Sequence, residues 1–473
     1  MLKNIELTFP ENIEELKGII LNLIEENSAL KEQNKRLENR IKELEMQLNS
    51  NSQNSSKPPS TDGYKKKTIL PKVKHDKQGG QKGHKGFTLK KVENPHIVSV
   101  IPLTTCSLCG GDLSKIQSVL SEARQVFDLP HPELIVTEYR NQKCTCPHCG
   151  VGQFSSFPKG VNAPVQYGNG VKAFVILLNV VYKLPYKKIK QLFSDLFKYP
   201  INESTIVNVS EICYQNLEAT EKNSQQQIEN STTVHFDETG VRVSGKLTWL
   251  HTATTSLFTY LWVHLSRGKK ALESSKSIIK RFTGWAIHDC WSSYFNYTNV
   301  KHAICGAHLL RELQALIENG SNWSKEFQTL LLSIFQYRKE HPTETKQEWS
   351  MQYDAICVKA NLEEPPPIIS GKRGKYKRTK GRNLLIRLIN HKDAVLAFSV
   401  YPEVPFTNNQ AERDIRPAKL KQKISGCFRT FHGAEIYARI EGYVSTLRKN
   451  QFNIFKELTN IFISQNFSFE LST

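Results

Sequence analysis

TTVHFDETGVRV (residues 232–243), KLTWLHTATT (246–255) and FTYLWVHLS (258–266) follow one another almost without interruption. Their β-branched and aromatic content, with turn residues at Gly240 and Ser244-Gly245, predicts three successive strands. A helix is expected over about Ser274 to Phe282, then the short strand GWAIHD (284–289), then a strand and helix through VKHAICGAHLLRELQALIE (300–318). Residues from about 320 to 400 read as a mostly helical insertion with the loop EEPPP and the basic run GKRGKYKRTKGR, and a last long helix starts near Asn408. Three strands in a row, then helix and strand alternating, is the order of a ribonuclease-H-like α/β domain. It is expected over 229–445, with a C-terminal tail over 446–473.

Three acids fall where such a sheet converges. Asp237 sits inside a strand, where an ionised side chain is costly to bury unpaired. Asp289 ends the strand AIHD. Glu412 lies on the helix opened by Thr407-Asn408-Asn409, with Arg416 one turn further on the same face, able to orient it or touch a phosphate. Asp414 points elsewhere on that helix. Hard oxygen ligands of this kind suit Mg²⁺ or Mn²⁺, and two such ions can serve phosphodiester chemistry. His302, Cys305 and His308 straddle a strand-to-helix junction without an evident fourth ligand, and are read as packing and hydrogen-bonding residues.

The chain of 473 residues exceeds one ordinary core and carries a net charge of +19. A surplus of that size attracts polyanions. No apolar run approaches the roughly 18 residues of a membrane span, and the N-terminus lacks a signal-peptide order. A soluble, cytoplasmic protein acting on nucleic acid is therefore expected, with no membrane partner.

The N-terminal third is modular. Ile13, Ile20, Asn27, Asn34, Ile41 and Leu48 recur at seven-residue steps, as do Leu16, Leu23, Leu30, Leu37 and Leu44. That two-position seam predicts a coiled coil over 1–50 and a homodimer or higher oligomer, with the asparagines fixing register. Residues 51–92, lysine-rich around GGQKGHKG, read as a flexible basic arm that can neutralise DNA phosphates. Residues 93–163 hold short β-like runs and two knuckles, CSLCGG (106–111) and CPHCG (146–150). Cys106, Cys109, Cys146 and Cys149 can close a tetrahedral, structural Zn²⁺ site, with Cys144 or His148 as possible substitutes. Residues 164–228 read as helices, broken at Tyr199-Pro200; they fit a helix-turn-helix or ordinary helix packing.

Seven motifs occur in one order: NSSKPPSTDG, GGQKGHKG, CSLCGG, CPHCG, VHFDETGVRV, CGAHLLREL and NNQAERDIRPAKLKQKISG. Together they resemble the transposases of the insertion-sequence-sixty-six family over nearly the whole chain. The resemblance implies a bacterial DDE transposase whose acids map onto Asp237, Asp289 and Glu412. It also implies terminal-repeat and target DNA as substrates, 3′-end cleavage and strand transfer, and small accessory proteins of the same element as partners. Arg413, Arg416 and Lys419, on the helix of Glu412, are expected to contact DNA. A non-catalytic zinc-dependent regulator, or a nuclease that cuts without joining, would use parts of the same inventory.

Overall fold

The computed structural model describes residues 12–48, 89–367 and 378–463. Most of the basic arm and most of the run 371–382 lie outside these residues. The chain divides into two compact units. One comprises Met1–Lys66, Asn162–Lys190 and Ile201–Thr473; the other comprises Lys67–Val161 and Gln191–Pro200.

The first unit is built on a five-stranded mixed sheet. Its strands are β3 (Thr233–Val243), β4 (Lys246–Thr254), β5 (Thr259–His264), β6 (Trp285–His288) and β7 (Lys301–Ile304), in the order β5-β4-β3-β6-β7. In the other unit β1 (Lys143–Thr145) and β2 (Gly152–Phe154) form a small antiparallel hairpin. The β3–β4 hairpin turns at Ser244 and Gly245, both with positive φ (49° and 78°), the two-residue geometry that matches strand twist. β6 and β7 then join parallel to β3, each reached by a crossover of a dozen or more residues.

Side chains alternate between two cores, as the period of a strand dictates. Val234 and Phe236 of β3 and Ala286 of β6 pack with Tyr260, Trp262, Phe282 and Tyr294. Trp285 and Ile287 of β6 and Ala303 of β7 face the opposite way. Over that second face lie α7 (Gly306–Ile317), α8 (Asn322–Glu340), α9 (Glu348–Glu363), α10 (Lys380–Asn390) and α11 (Lys392–Val400), sealed by Trp323, Phe327 and Tyr353.

Four expectations need correction. The helix foreseen at 274–282 is instead the short α6 (Lys269–Leu272), followed by turns. Ser274 bonds its hydroxyl back to the Ala271 carbonyl, the serine alternative to helix continuation. The β-like runs of 93–163 reduce to β1, β2 and a single bridge between Thr105 and Asp112. The boundary at 445/446 falls inside α13 (Phe431–Lys449), and α14 (Ile454–Ile463) buries Leu458 and Ile461 rather than trailing as a tail.

Finally, the helices of 164–228 do not stand apart from the sheet. They are α2 (Asn169–Ile176, continued by a π turn at Leu177–Val181), α3 (Tyr186–Phe197), α4 (Glu203–Asn216) and α5 (Glu218–Glu229). α14 packs on α2 and α4, while α13 packs on both α4 and β5. Lys183 and Glu441 form a buried ion pair, with side chains 4% and 1% exposed, that pins the end of the π turn to α13.

One close approach fixes the functional end of the sheet. The Gly306 N–H donates to the Phe406 carbonyl at 2.8 Å, and a Cβ on residue 306 would lie 2.2 Å from the Phe406 ring. Gly306→Ala is therefore expected to destabilise the protein by about 1–3 kcal/mol, the usual range for overpacking. A lower thermal midpoint checks this; an unchanged midpoint would show that Phe406 yields freely.

Candidate active site

The sheet register brings the two aspartates together. β3 pairs with β6 only from Thr233↔Trp285 to His235↔Ile287, after which β6 ends at His288. Continuing that register by two residues sets Asp237 beside Asp289, at the carboxyl end of β6, where α/β sheets commonly place their sites. β7 ends alongside, and Cys305 leads into α7.

Glu412 arrives from α12 (Asn409–Ser425), which packs across β3 and β4. Asn408, the residue before this helix, is 1% exposed. Its side-chain Nδ2 donates to the Phe236 carbonyl at 2.7 Å, which leaves Oδ1 to accept from His235 Nδ1 at 2.9 Å. Its backbone N–H donates to Cys305 Sγ at 3.1 Å. The start of α12 is thereby tied to β3 next to Asp237 and to the β7–α7 junction.

The acids are unequally neutralised. Glu412 Oε1 accepts from Arg311 and Oε2 from Arg416, both at 3.2 Å. Asp289 Oδ1 accepts the Trp291 backbone N–H at 3.2 Å, and Oδ2 lies 4.0 Å from Arg267. Glu238 is almost fully buried and is held by Tyr294 at 2.7 Å and by Arg267, whose guanidinium lies over the rings of Trp249 and Trp291. Asp237 accepts the Glu238 backbone N–H at 2.9 Å and has no ion-pair partner among the described residues.

Electrostatics follow from that imbalance. Desolvation first, then the charges of Glu238, Asp289 and Glu412, hold the Asp237 carboxyl well above the usual carboxylate range. Burial, with Asp289 nearby, also raises Glu238, against the pull of Tyr294 and Arg267. Several carboxylates gathered at one place, one of them without a cation, offer the all-oxygen donor set of a hard dication. The residues fit magnesium or manganese.

Other expected residues are placed as follows. Asp414 is buried away from the cluster and pairs with Lys449 at 2.7 Å. Arg413, Arg416 and Lys419 are exposed along α12, although Arg416 also holds Glu412 and Lys419 donates to the Gly240 carbonyl. His302 bonds His288 at 3.0 Å and the Tyr297 carbonyl at 3.1 Å, a packing role. Cys305 accepts the Asn408 N–H as a hydrogen-bonding residue, and with His308 and Glu412 its ligand atoms come within 4.8 Å of one another. Glu238, Arg267 and Arg311 were not foreseen. The adjacent acids of HFDET were the visible signal for Glu238; the two arginines carried none that distinguished them from solvated cations.

In the other unit the two cysteine knuckles are built alike. Gly110 and Gly150 both have φ of 71°, and each donates its N–H to the carbonyl of the first cysteine, Cys106 or Cys146, at 2.9 Å. Backbone N–H groups of Cys109 and Leu108 lower the Cys106 thiol pKa, and those of Cys149 and His148 lower that of Cys146. Each knuckle thus favours the thiolate that a metal needs. Among the described residues the four sulfurs are not gathered at one point.

The acids at the carboxyl end of a mixed sheet and, in the other unit, the paired cysteine knuckles are each donor sets of the kind that suits metal ions. The family comparisons narrow that reading. Residues 164–436, more than half of the chain, match the Transposase IS66 family. Residues 104–150 match the zinc-finger binding domain of transposase IS66, and residues 7–90 match a family of unknown function, DUF6444. No curated protein matches the chain. The chain belongs to the IS66 transposase family and carries its zinc-finger domain.

The unpaired Asp237 generates a stability prediction. Its folded-state pKa is raised, so the penalty is absent at low pH, where the group is protonated folded and unfolded, and grows as pH rises toward the raised value. At neutral pH without divalent cations, Asp237→Asn should raise the thermal midpoint. Magnesium at about 10–100 times its dissociation constant should stabilise the parent by roughly 1.4–2.7 kcal/mol and the variant far less. Equal response to magnesium in both proteins would remove Asp237 from the site.

Proposed function

We propose that the chain is a DDE transposase that cuts the 3′ ends of its insertion sequence and joins them to target DNA, using Asp237, Asp289 and Glu412 to hold Mg²⁺ or Mn²⁺. The observation that carries the reading is the meeting of these three acids, with Asp237 uncompensated, at the end of a sheet whose order suits a ribonuclease-H-like domain. The ions, when bound, would polarise the phosphodiester and its attacking water or 3′-hydroxyl. The chain itself does the positioning. Arg311 and Arg416 orient the Glu412 carboxylate, and Arg267, flanked by two indole rings, sets the place of Asp289. Exposed Arg413 and Arg416 stand on the same helix, suited to phosphate contact.

The remaining segments serve assembly and DNA capture in this reading. α1 (Ile13–Leu48) leaves Ile13, Ile20, Leu23, Leu30, Leu37 and Ile41 each at least 52% exposed, an apolar seam that a second copy would cover in a coiled-coil dimer. Cys106, Cys109, Cys146 and Cys149 would share one structural zinc. The basic arm would add phosphate contacts, α3 and α4 would read element ends, and accessory proteins of the element could join the assembly. All of this would take place on nucleoid DNA in the cytoplasm; no helix among the described residues is long and apolar enough to cross a membrane.

The decisive reaction uses purified protein and labelled DNA from the ends of its own element, with Mg²⁺, Mn²⁺ or chelator. Metal-dependent 3′ nicks and joined products are expected, lost in Asp237→Asn, Asp289→Asn and Glu412→Gln while DNA binding survives. Nicks without joined products would mark a nuclease, and binding without cleavage, even after the element's other proteins are added, a regulator. For the knuckles, Cys106→Ser combined with Cys146→Ser should lose one equivalent of bound zinc relative to the parent. An unchanged zinc count would refute the four-cysteine site.

A further inference from the structure

The junction between β7 and α7 presents a donor set unlike that of the acid cluster. Cys305 Sγ, a ring nitrogen of His308 and a Glu412 oxygen all lie within 4.8 Å of one another. The three come from two elements held together by a backbone bond, Gly306 N–H to the Phe406 carbonyl at 2.8 Å, and by the Asn408 backbone N–H donating to Cys305 Sγ at 3.1 Å. His308 Nδ1 is buried without a hydrogen-bond partner among the described residues. It stands 3.7 Å from Glu412 Oε1, too far for a hydrogen bond. Two ligands about 2.0–2.2 Å from one tetrahedral zinc lie roughly 3.4 Å apart, so that gap is nearly the spacing a shared ion imposes.

We propose that Cys305, His308 and Glu412 form a second cation site, which takes a zinc-class divalent ion and, when filled, withdraws Glu412 from the acid cluster. Sulfur and imidazole donors select a borderline-soft ion over magnesium, which prefers oxygen. Three protein ligands leave the fourth position of a tetrahedral ion to water. Binding releases the Cys305 thiol proton to solvent and forms a sulfur–metal bond, with no change of oxidation state. Arg311 already bonds Glu412 Oε1, so the ion must displace or share that contact. This makes the site a reversible one, answering to free zinc, rather than a permanent structural centre.

Binding stands on the geometry of Cys305 and His308; only its effect on cleavage rests on the transposase reading. Zinc is counted by equilibrium dialysis on the full chain, its Cys305→Ser and His308→Gln variants, and Asp237→Asn. Each of the first two variants should bind one equivalent fewer than the parent, while Asp237→Asn binds as many. The zinc-finger cysteines are common to all four proteins and cancel in the difference. Cys305 is fully buried, so should its variant misfold, His308→Gln carries the count alone. Equal counts in parent and folded variant would overturn the site. In the magnesium-dependent cleavage reaction, zinc should inhibit His308→Gln at least tenfold more weakly than the parent, and equal inhibition would overturn the withdrawal of Glu412. A chain that loses the extra zinc in these variants yet never cuts DNA would sink the transposase reading and leave the site standing.

Discussion

The placing of Glu412 against Asp237 passes through Asn408. This buried side chain satisfies Phe236 and His235 on β3, its N–H reaches Cys305, and its own carbonyl accepts the Glu412 N–H at 3.3 Å. A buried amide bonded at both its oxygen and its nitrogen is worth more than its separate bonds, because losing a partner strands another polar atom away from water. Asn408 therefore sets a distance. Asp237 lies one residue past Phe236 on the strand, and Glu412 lies one turn into the helix. Rigid elements on both sides of one side chain hold the two acids to a common place.

The charges around that place are graded rather than cancelled. Glu238 and Asp237 are neighbours on one strand and so point to opposite faces. Glu238 takes both Tyr294 and Arg267, which consumes its acceptor capacity inside the protein. Glu412 keeps two arginines at its rim. Asp237 has only a backbone N–H. A protein selected for stability alone would not leave a strongly desolvated carboxylate so poorly compensated, since each unpaired buried charge opposes folding. The arrangement makes sense if the missing positive charge comes from outside the chain.

Much of this was legible beforehand. The strands of 232–266 announced themselves through β-branched and aromatic density, and the place of α12 through Thr407-Asn408-Asn409. Asn408 does occupy the position before the first helical residue, but its side chain caps nothing there and bonds across to β3 instead. A sequence shows that an asparagine stops or starts an element; it cannot show that its amide is spent on another one. Arg267 and Arg311 were hidden for the same reason, because an arginine's partner is set by tertiary distance. The helix expected over 274–282 failed on local chemistry. Three serines in SSKS favour side-chain to backbone bonds, while Ile278, Ile279 and Phe282 still deliver the buried surface that suggested it.

The separation of residues 164–228 from the sheet gives way for a reason of packing. Helices at 169–229 and a sheet at 233–304 read as separate domains because the texture changes between them. The chain's last described helices then return to the first: α14 covers α2 and α4, and Glu441 of α13 neutralises Lys183 beside the π turn. Removing either partner of such a pair would strand a buried charge, at a cost of about 3–5 kcal/mol. The helices near the N-terminal side of the sheet are thus part of the body that positions the acids. A displacement of α4 would reach β5 through α13, on the same sheet that carries Asp237.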